Sequence, residues 1–272
     1  MNQNNMNQKN IKLGTHGEQY GNWMSNPVFY MLGGVIAVIA LLTVLSFTVF
    51  HLPVLGIIFA VLLIAACAVT CWFAWIRKQY SFGGGGMMNK VHQTLLSHLD
   101  FDGKGTILEV GCGSGPLTIR AALTWPECKA VGIDYWGAVW NYSKELCEKN
   151  ARSEGVGDRC SFQRGDANHL DFPDETFDAV ISNYVYHNIT NAPDKQVLLK
   201  ESLRVLKKGG VFALHDDMKP GMYGDMEALV NELKAEGYQD VRVIETAEEI
   251  FGSLSRAKML ALGHSAALVG RK

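Results

Sequence analysis

The stretch that decides the fold is Ile107-Leu108-Glu109-Val110-Gly111-Cys112-Gly113-Ser114-Gly115. Ile107, Leu108 and Val110 are strand formers, and Glu109 places an acid inside their apolar run. Gly111, Gly113 and Gly115, at alternate positions, let the backbone turn tightly and come close to another group. Pro116 then opens a helical segment, where its missing N–H leaves no bond unmade. Strand, glycine loop and helix together form the nucleotide-binding corner of a doubly wound α/β sheet.

Downstream, strand and helix signals alternate. Ala130–Asp134, Cys160–Arg164, Phe177–Ser182 and Val211–His215 read as strands, and Val241–Ile244 and Ala266–Val269 as two more. Helical segments fall over Gly137–Ser153, Pro193–Leu206 and Glu227–Glu236. With the opening strand this predicts a mostly parallel, seven-stranded Rossmann-like sheet covered on both faces. Just upstream, Met88, Val91, Leu95, Leu96 and Leu99 recur at helical spacing.

The chain of 272 residues carries a net charge of -2, without the basic excess that nucleic-acid binding leaves. Its apolar residues are unevenly spread: Val28–Ile76 contains no Asp, Glu, Lys or Arg. Residues 28–50 and 54–76, separated by His51-Leu52-Pro53, are each long enough as a helix (~1.5 Å per residue) to cross a ~30 Å hydrocarbon core. The spacing predicts a transmembrane hairpin over 27–76, with Gly33, Gly34 and Gly56 open to close helix contact. Trp23, Tyr30, Trp72 and Trp75 suit an interfacial belt. A cleaved signal peptide would be shorter and nearer Met1. Lys9 and Lys12 precede the first span, Arg77, Lys78 and Lys90 follow the second, and the turn carries no basic Lys or Arg. Both termini and the following domain are therefore expected on the cytoplasmic side of the cell membrane. Residues 1–26, rich in Asn and Gln, read as a polar flexible tail, 77–86 with Gly83–Gly86 as a linker, and 87–272 as the α/β domain. The six cysteines form no CxxC pair and no ligand-like Cys/His spacing, so no metal centre is expected. Nothing in the chain indicates an oligomeric state.

In an open parallel sheet, ligands sit beyond the carboxyl ends of the strands. Those ends present the glycine loop, Asp134, Asp166, Asn183 and His215-Asp216-Asp217. The loop is G-x-G-x-G, with Pro116 where a dinucleotide loop has its third glycine, and no Lys-Ser or Lys-Thr makes a P-loop. It suits a ligand without phosphates. Asp134 closes the second strand, where a carboxylate accepts from two adjacent ribose hydroxyls; the bland alternative is a strand-terminal turn residue, and the glycine loop upstream favours the first. Asp166 after Gly165 also fits an ordinary turn.

These residues carry a family resemblance. Glu109-x-Gly111-x-Gly113-x-Gly115, Asp134, Gly165-Asp166-Ala167, Phe177–Asn183 and Leu203–Gly210, in that order, resemble the class I S-adenosylmethionine-dependent methyltransferases, closest to the ubiquinone and menaquinone biosynthesis group. The resemblance covers about 88–272 and not the hairpin. It implies that Glu109 and the Gly111–Gly115 backbone hold the methionine part of the cofactor and that Asp134 binds the ribose. It places Tyr135 against the adenine, Asp166 and Ala167 at the adenine edge, and Asn183 near the methionine end.

The sulfonium is already an activated donor, so positioning supplies much of the acceleration. A base is needed only if the acceptor must lose a proton. His187 is the candidate, since an ordinary imidazole titrates near ~6.5; the alternative is a loop-orienting role. Asn188 stands where the family often has a second histidine. Tyr184, Tyr186, His215 and Asp216 are candidate acceptor contacts. The leading expectation is a membrane-anchored methyltransferase acting on a small, possibly lipophilic acceptor. The rivals are an NAD-dependent oxidoreductase on the same fold, which Pro116 argues against, and a non-catalytic membrane-anchored interaction module.

Overall fold

The strand that ends in the glycine loop lies in the middle of a seven-stranded sheet of order β3-β2-β1-β4-β5-β7-β6. The computed structural model describes residues 11, 13–82, 86–137 and 142–272. It divides into two compact units, one from Gly21 to Gly86 and one joining the segment through Tyr20 to Met87–Lys272.

In the larger unit, α3 (Met87–Ser97) leads into β1 (Gly105–Val110) and α4 (Pro116–Thr124). Then follow β2 (Cys128–Asp134), α5 (Lys144–Ser153), β3 (Cys160–Arg164) and β4 (Phe177–Asn183). A 3-10 turn at Tyr186–Asn188 precedes α6 (Gln196–Arg204) and β5 (Leu206–Asp217). The chain closes with α7 (Pro220–Tyr223), α8 (Met226–Ala235), β6 (Gln239–Glu245), α9 (Ala247–Phe251), α10 (Leu254–Met259) and β7 (Ser265–Arg271). Strands β1 to β5 pair in parallel, and β7 is antiparallel to both β5 and β6. The expected mostly parallel seven-stranded sheet is therefore the observed one.

Ile107, Leu108 and Val110 are buried because β1 has a strand on each side and helices on each face. Leu108 and Val110 share a core with Val180, Phe212, Leu214 and Leu268 from the neighbouring strands. The chain leaves β1 outward through β2 to β3, then returns to β4 on the other side of β1. That reversal puts the switch point, where a crevice opens, at the carboxyl end of β1.

The polar segment read as a flexible tail is held to this unit over its described part. Leu13 and Tyr20 are buried. Gln19 N donates to Asn150 Oδ1 at 3.0 Å, and Asn150 Nδ2 donates to Gln19 O at 3.2 Å. Gly14 N and the Tyr20 hydroxyl both donate to Glu154 Oε1, each at 2.9 Å. Composition suggested disorder, but these partners lie in α5 and its cap, far along the chain. The helix expected from Gly137 begins at Lys144; residues 138–141 of it, and 83–85 of the expected linker, lie outside the described residues.

In the smaller unit, α1 (Asn26–Thr48) and α2 (Pro53–Gln79) are two helices long and apolar enough to cross a membrane. They turn back on each other at His51, whose φ is 50°. Gly56 is the close contact: a Cβ there would lie 2.6 Å from the Phe47 ring. Gly33 and Gly34 meet nothing within 4 Å, so they play no part in that packing. The hydroxyls of Thr43, Ser46, Thr48 and Thr70 donate to carbonyls four residues back along their own helices. Trp23 and Tyr80 meet at 5.5 Å between ring centroids, and Arg77 Nη2 donates to Asn26 Oδ1 at 2.5 Å.

Candidate functional site

The glycine loop is built from the end of β1 outward. Gly111 N and Cys112 N both donate to Ile133 O, at 2.8 and 2.9 Å. Gly111, Gly113 and Gly115 have φ of 78°, 56° and 89°, in the region only glycine enters cheaply. A Cβ on Gly111 would lie 2.2 Å from a Val185 methyl, so the turn after β4 packs directly on the loop.

Asp134 holds the loop from the side. Its Oδ2 accepts from Gly113 N at 2.8 Å and its Oδ1 from Trp136 N at 2.7 Å. Burial raises its carboxyl pKa, against the pull of those backbone donors. Trp136 Nε1 donates to Gly113 O at 2.8 Å and Cys147 Sγ to the same oxygen at 3.2 Å. Ser114 Oγ donates to Tyr20 O at 2.8 Å, and Asn150 Nδ2 to Ser114 O at 3.0 Å. Trp136, Cys147, Asn150 and Tyr20 were not singled out from the sequence. Asn150 and Tyr20 lie far from the loop in the chain, but Trp136, two residues after Asp134, was findable.

Glu109 is buried beneath the loop and accepts from the Thr118 hydroxyl of α4. Burial pushes its carboxyl up to about 8, with the Thr118 bonds opposing. Tyr135 is exposed, with the Arg164 guanidinium 4.7 Å above its ring. Asp166 is exposed, and its Oδ1 accepts from Asn168 N and Nδ2, at 2.9 and 2.7 Å; Ala167 is buried behind it. Asn183 is buried, its Oδ1 accepting from His215 Nδ1 at 2.8 Å.

The candidate acceptor residues divide. His215 is buried with both ring nitrogens engaged, Nε2 with the Thr246 hydroxyl at 2.8 Å, and burial lowers its pKa to about 4. Tyr186 is buried and its hydroxyl pairs with Ser202 at 2.8 Å. Neither has a polar atom left for an acceptor. Tyr184 packs its ring on His215 at 4.6 Å, and its hydroxyl meets Ser265 at 2.5 Å. Asp216, 0% exposed, turns to His187 instead: its Oδ2 accepts from His187 N at 3.1 Å and its Oδ1 pairs with His187 Nδ1. Burial opposes the Asp216 charge, but the bond and charge of His187 outweigh it and hold the carboxyl below its usual range. An ionised Asp216 only accepts, so the His187 ring nitrogen that faces it, Nδ1, is the donor of that pair. The His187 side chain is 31% exposed, and Tyr184, with φ of 54°, begins the turn that carries it.

Residues 101–252 match the family described as a methyltransferase domain, which is more than half of the chain. The chain belongs to this family. It is 33% identical over 133 residues to the sterol 24-C-methyltransferase erg6 of Aspergillus fumigatus, covering 48% of this chain and 33% of that protein. It is 32% identical over 136 residues to the demethylmenaquinone methyltransferase of Symbiobacterium thermophilum, covering 50% and 51%. The chain thus spans about a third to a half of the length of these curated relatives. Among solved structures, the geranyl diphosphate C-methyltransferase of Streptomyces coelicolor A3(2), in complex with S-adenosyl-L-homocysteine, aligns with a TM-score of 0.53 at 14% identity, covering 69% of this chain and 80% of that one. At that identity it shares the fold. The family match decides against the nicotinamide reading. S-adenosylmethionine is the cofactor of the class, and the glycine cradle backed by the Asp134 carboxylate fits it.

Proposed function

We propose that this chain transfers a methyl group from S-adenosylmethionine to a small, lipophilic acceptor, and that α1 and α2 anchor it in the cell membrane with both termini cytoplasmic. One observation carries the reading: Asp134, at the end of β2, accepts from the Gly113 amide of the β1 loop and so ties the strand-end carboxylate to the glycine cradle. When bound, the cofactor supplies a methyl on a positively charged sulfur. Gly111–Gly115 and Glu109 would hold its amino-acid end, Asp134 its ribose, and Tyr135, Asp166 and Ala167 its base, with Asn183 near the amino-acid end.

His187 would act as the base through Nε2, the ring nitrogen turned away from Asp216, and Asp216 orients the ring through Nδ1. Val185 joins the His187 turn to Gly111, so base and cradle are parts of one packed surface. His187 Nε2 would take the proton that the acceptor gives up, and the lipophilic acceptor would itself exclude water. Support for such an acceptor is the pair of apolar helices, together with relatives named for a sterol and for demethylmenaquinone. Support for the orientation is the placement of Lys9, Lys12, Arg77 and Lys78 outside the apolar runs. The domain division is 27–76 for the anchor and 87–272 for the catalytic domain, with Leu13–Tyr20 assigned to the latter.

The test supplies labelled S-adenosylmethionine to the full chain with membrane-lipid and aqueous extracts. Label in an organic-soluble product, lost with H187N, supports the proposal. Label confined to aqueous products removes the lipophilic acceptor, and binding without any transfer leaves a non-catalytic module.

A further inference from the structure

The polar segment before the first apolar helix brings three metal-competent side chains to one point. His16 Nδ1 lies 3.6 Å from Glu18 Oε1 and 3.5 Å from Glu154 Oε2, and all three ligand atoms fall within 4.8 Å of one another. We propose that His16, Glu18 and Glu154 form a binding site for a divalent transition-metal cation, with zinc as the representative ion, at the seam between Leu13–Tyr20 and the end of α5.

The spacing fits such an ion. Bonds of about 2.0–2.2 Å in tetrahedral geometry set neighbouring ligand atoms roughly 3.4 Å apart. The carboxylates are already oriented for it. Glu154 Oε1 accepts from Gly14 N and from the Tyr20 hydroxyl, each at 2.9 Å, which leaves Oε2 for the ion. Glu18 Oε2 accepts from His16 N at 2.8 Å, which leaves Oε1. Such outer hydrogen bonds are what hold metal ligands in place.

A second observation points to a ligand independently of the cluster. Glu18 Oε1 is buried without a hydrogen-bond partner, on a side chain 0% exposed, and it faces His16 Nδ1. A carboxylate oxygen removed from water and left unpaired calls for a cation. The Glu154 side chain is only 3% exposed, so two acids share this dry seam. The Arg120 guanidinium is near enough to feel Glu154, but its Nη2 donates to Asn89 Oδ1 at 2.5 Å, and its Nε and Nη1 have no hydrogen-bond partner. The Thr15 hydroxyl sits 3.3 Å from His16 Nδ1 and must rotate away or join as a further oxygen. The 62% exposed His16 leaves a solvent side for a water ligand. One imidazole nitrogen with two carboxylate oxygens favours zinc, manganese or cobalt over magnesium, and without thiolate it disfavours the softest ions. Sequence spacing pointed to no metal because the third ligand lies far along the chain; folding supplies it. The bound ion would fasten the segment whose Tyr20 carbonyl receives the Ser114 hydroxyl of the glycine loop.

The test uses the full chain without a polyhistidine tag, stripped by chelator in detergent, and zinc chloride as the probe. Calorimetry and elemental analysis should find one equivalent bound, weakened by about 10-fold or more in H16A and in E18Q. Cobalt(II) in place of zinc should give the weak visible bands of nitrogen and oxygen ligation, without the intense near-ultraviolet band of thiolates. S-adenosylmethionine binding by E18Q checks that the variant is folded. Failure to retain zinc, retention unchanged in both variants, or a thiolate band would overturn the proposal. None of these outcomes depends on which acceptor is methylated.

Discussion

Gly111 is the residue at which the fold and the site meet. Alanine there meets Val185 at 2.2 Å and must hold a φ of 78°. G111A is expected to lose ~1–3 kcal/mol of stability by chemical denaturation. The double variant with V185A should recover the steric part only. Glu109 gives a pH signature. Its folded pKa of about 8 lies above the ordinary ~4.3, so the native state holds a proton that the unfolded chain releases. The associated stability is complete below ~4.3 and is lost as pH rises through 8. In the cofactor-free chain, stability should fall by up to ~1.4 kcal/mol per pH unit across that window, and E109Q should flatten the slope. For the dyad, D216N should lower kcat by about 10²–10⁴ with little change in KM, and rate profiles should lose their dependence on a base. Unchanged kcat would reduce His187 to a loop-orienting role. The glycine loop and Asp134 were legible because their signals are local and their residue types are scarce in ordinary strands. Tyr186 and His215 read as site residues because they follow strand ends, and no sequence signal distinguishes a side chain there that turns inward to Ser202 or Thr246 from one that faces the crevice.

Among elements, the segment Leu13–Tyr20 departs most from its composition. Asn150 is buried in α5 and bonds Gln19 twice and Ser114 once, so it ties the segment to the glycine loop. N150A should cost ~2 kcal/mol, since it strands the Ser114 carbonyl and the Gln19 amide. A fragment beginning at Met87 lacks Tyr20 and should melt lower than the full chain. Equal melting temperatures would show that the segment adds nothing. Strands β2, β4 and β5 were legible as apolar runs closing on Asp134, Asn183 and His215. The early start of β5 at Leu206 was hidden by Lys207-Lys208-Gly209-Gly210, whose composition resembles a helix end and a turn. Helices α9 and α10 are only 5 and 6 residues long, too short for a periodic pattern to register.

At the scale of the molecule, two helices without charge from Val28 to Ile76 precede a charged α/β domain, and that division was plain from the distribution of charge alone. The pairing of Trp23 with Tyr80 across the hairpin was less so, because the two residues lie far apart in the chain. The full chain should stay with membranes through an alkaline carbonate wash and be released by detergent; release by carbonate alone would remove the anchor. The central claim is that the Asp134-backed glycine loop holds S-adenosylmethionine. Calorimetric titration of the detergent-solubilised full chain tests it most directly. The account predicts one site for S-adenosylmethionine, no heat with NAD, and binding weakened by about 100-fold or more in D134A. Undiminished binding in D134A, or a site for NAD in place of S-adenosylmethionine, would contradict it.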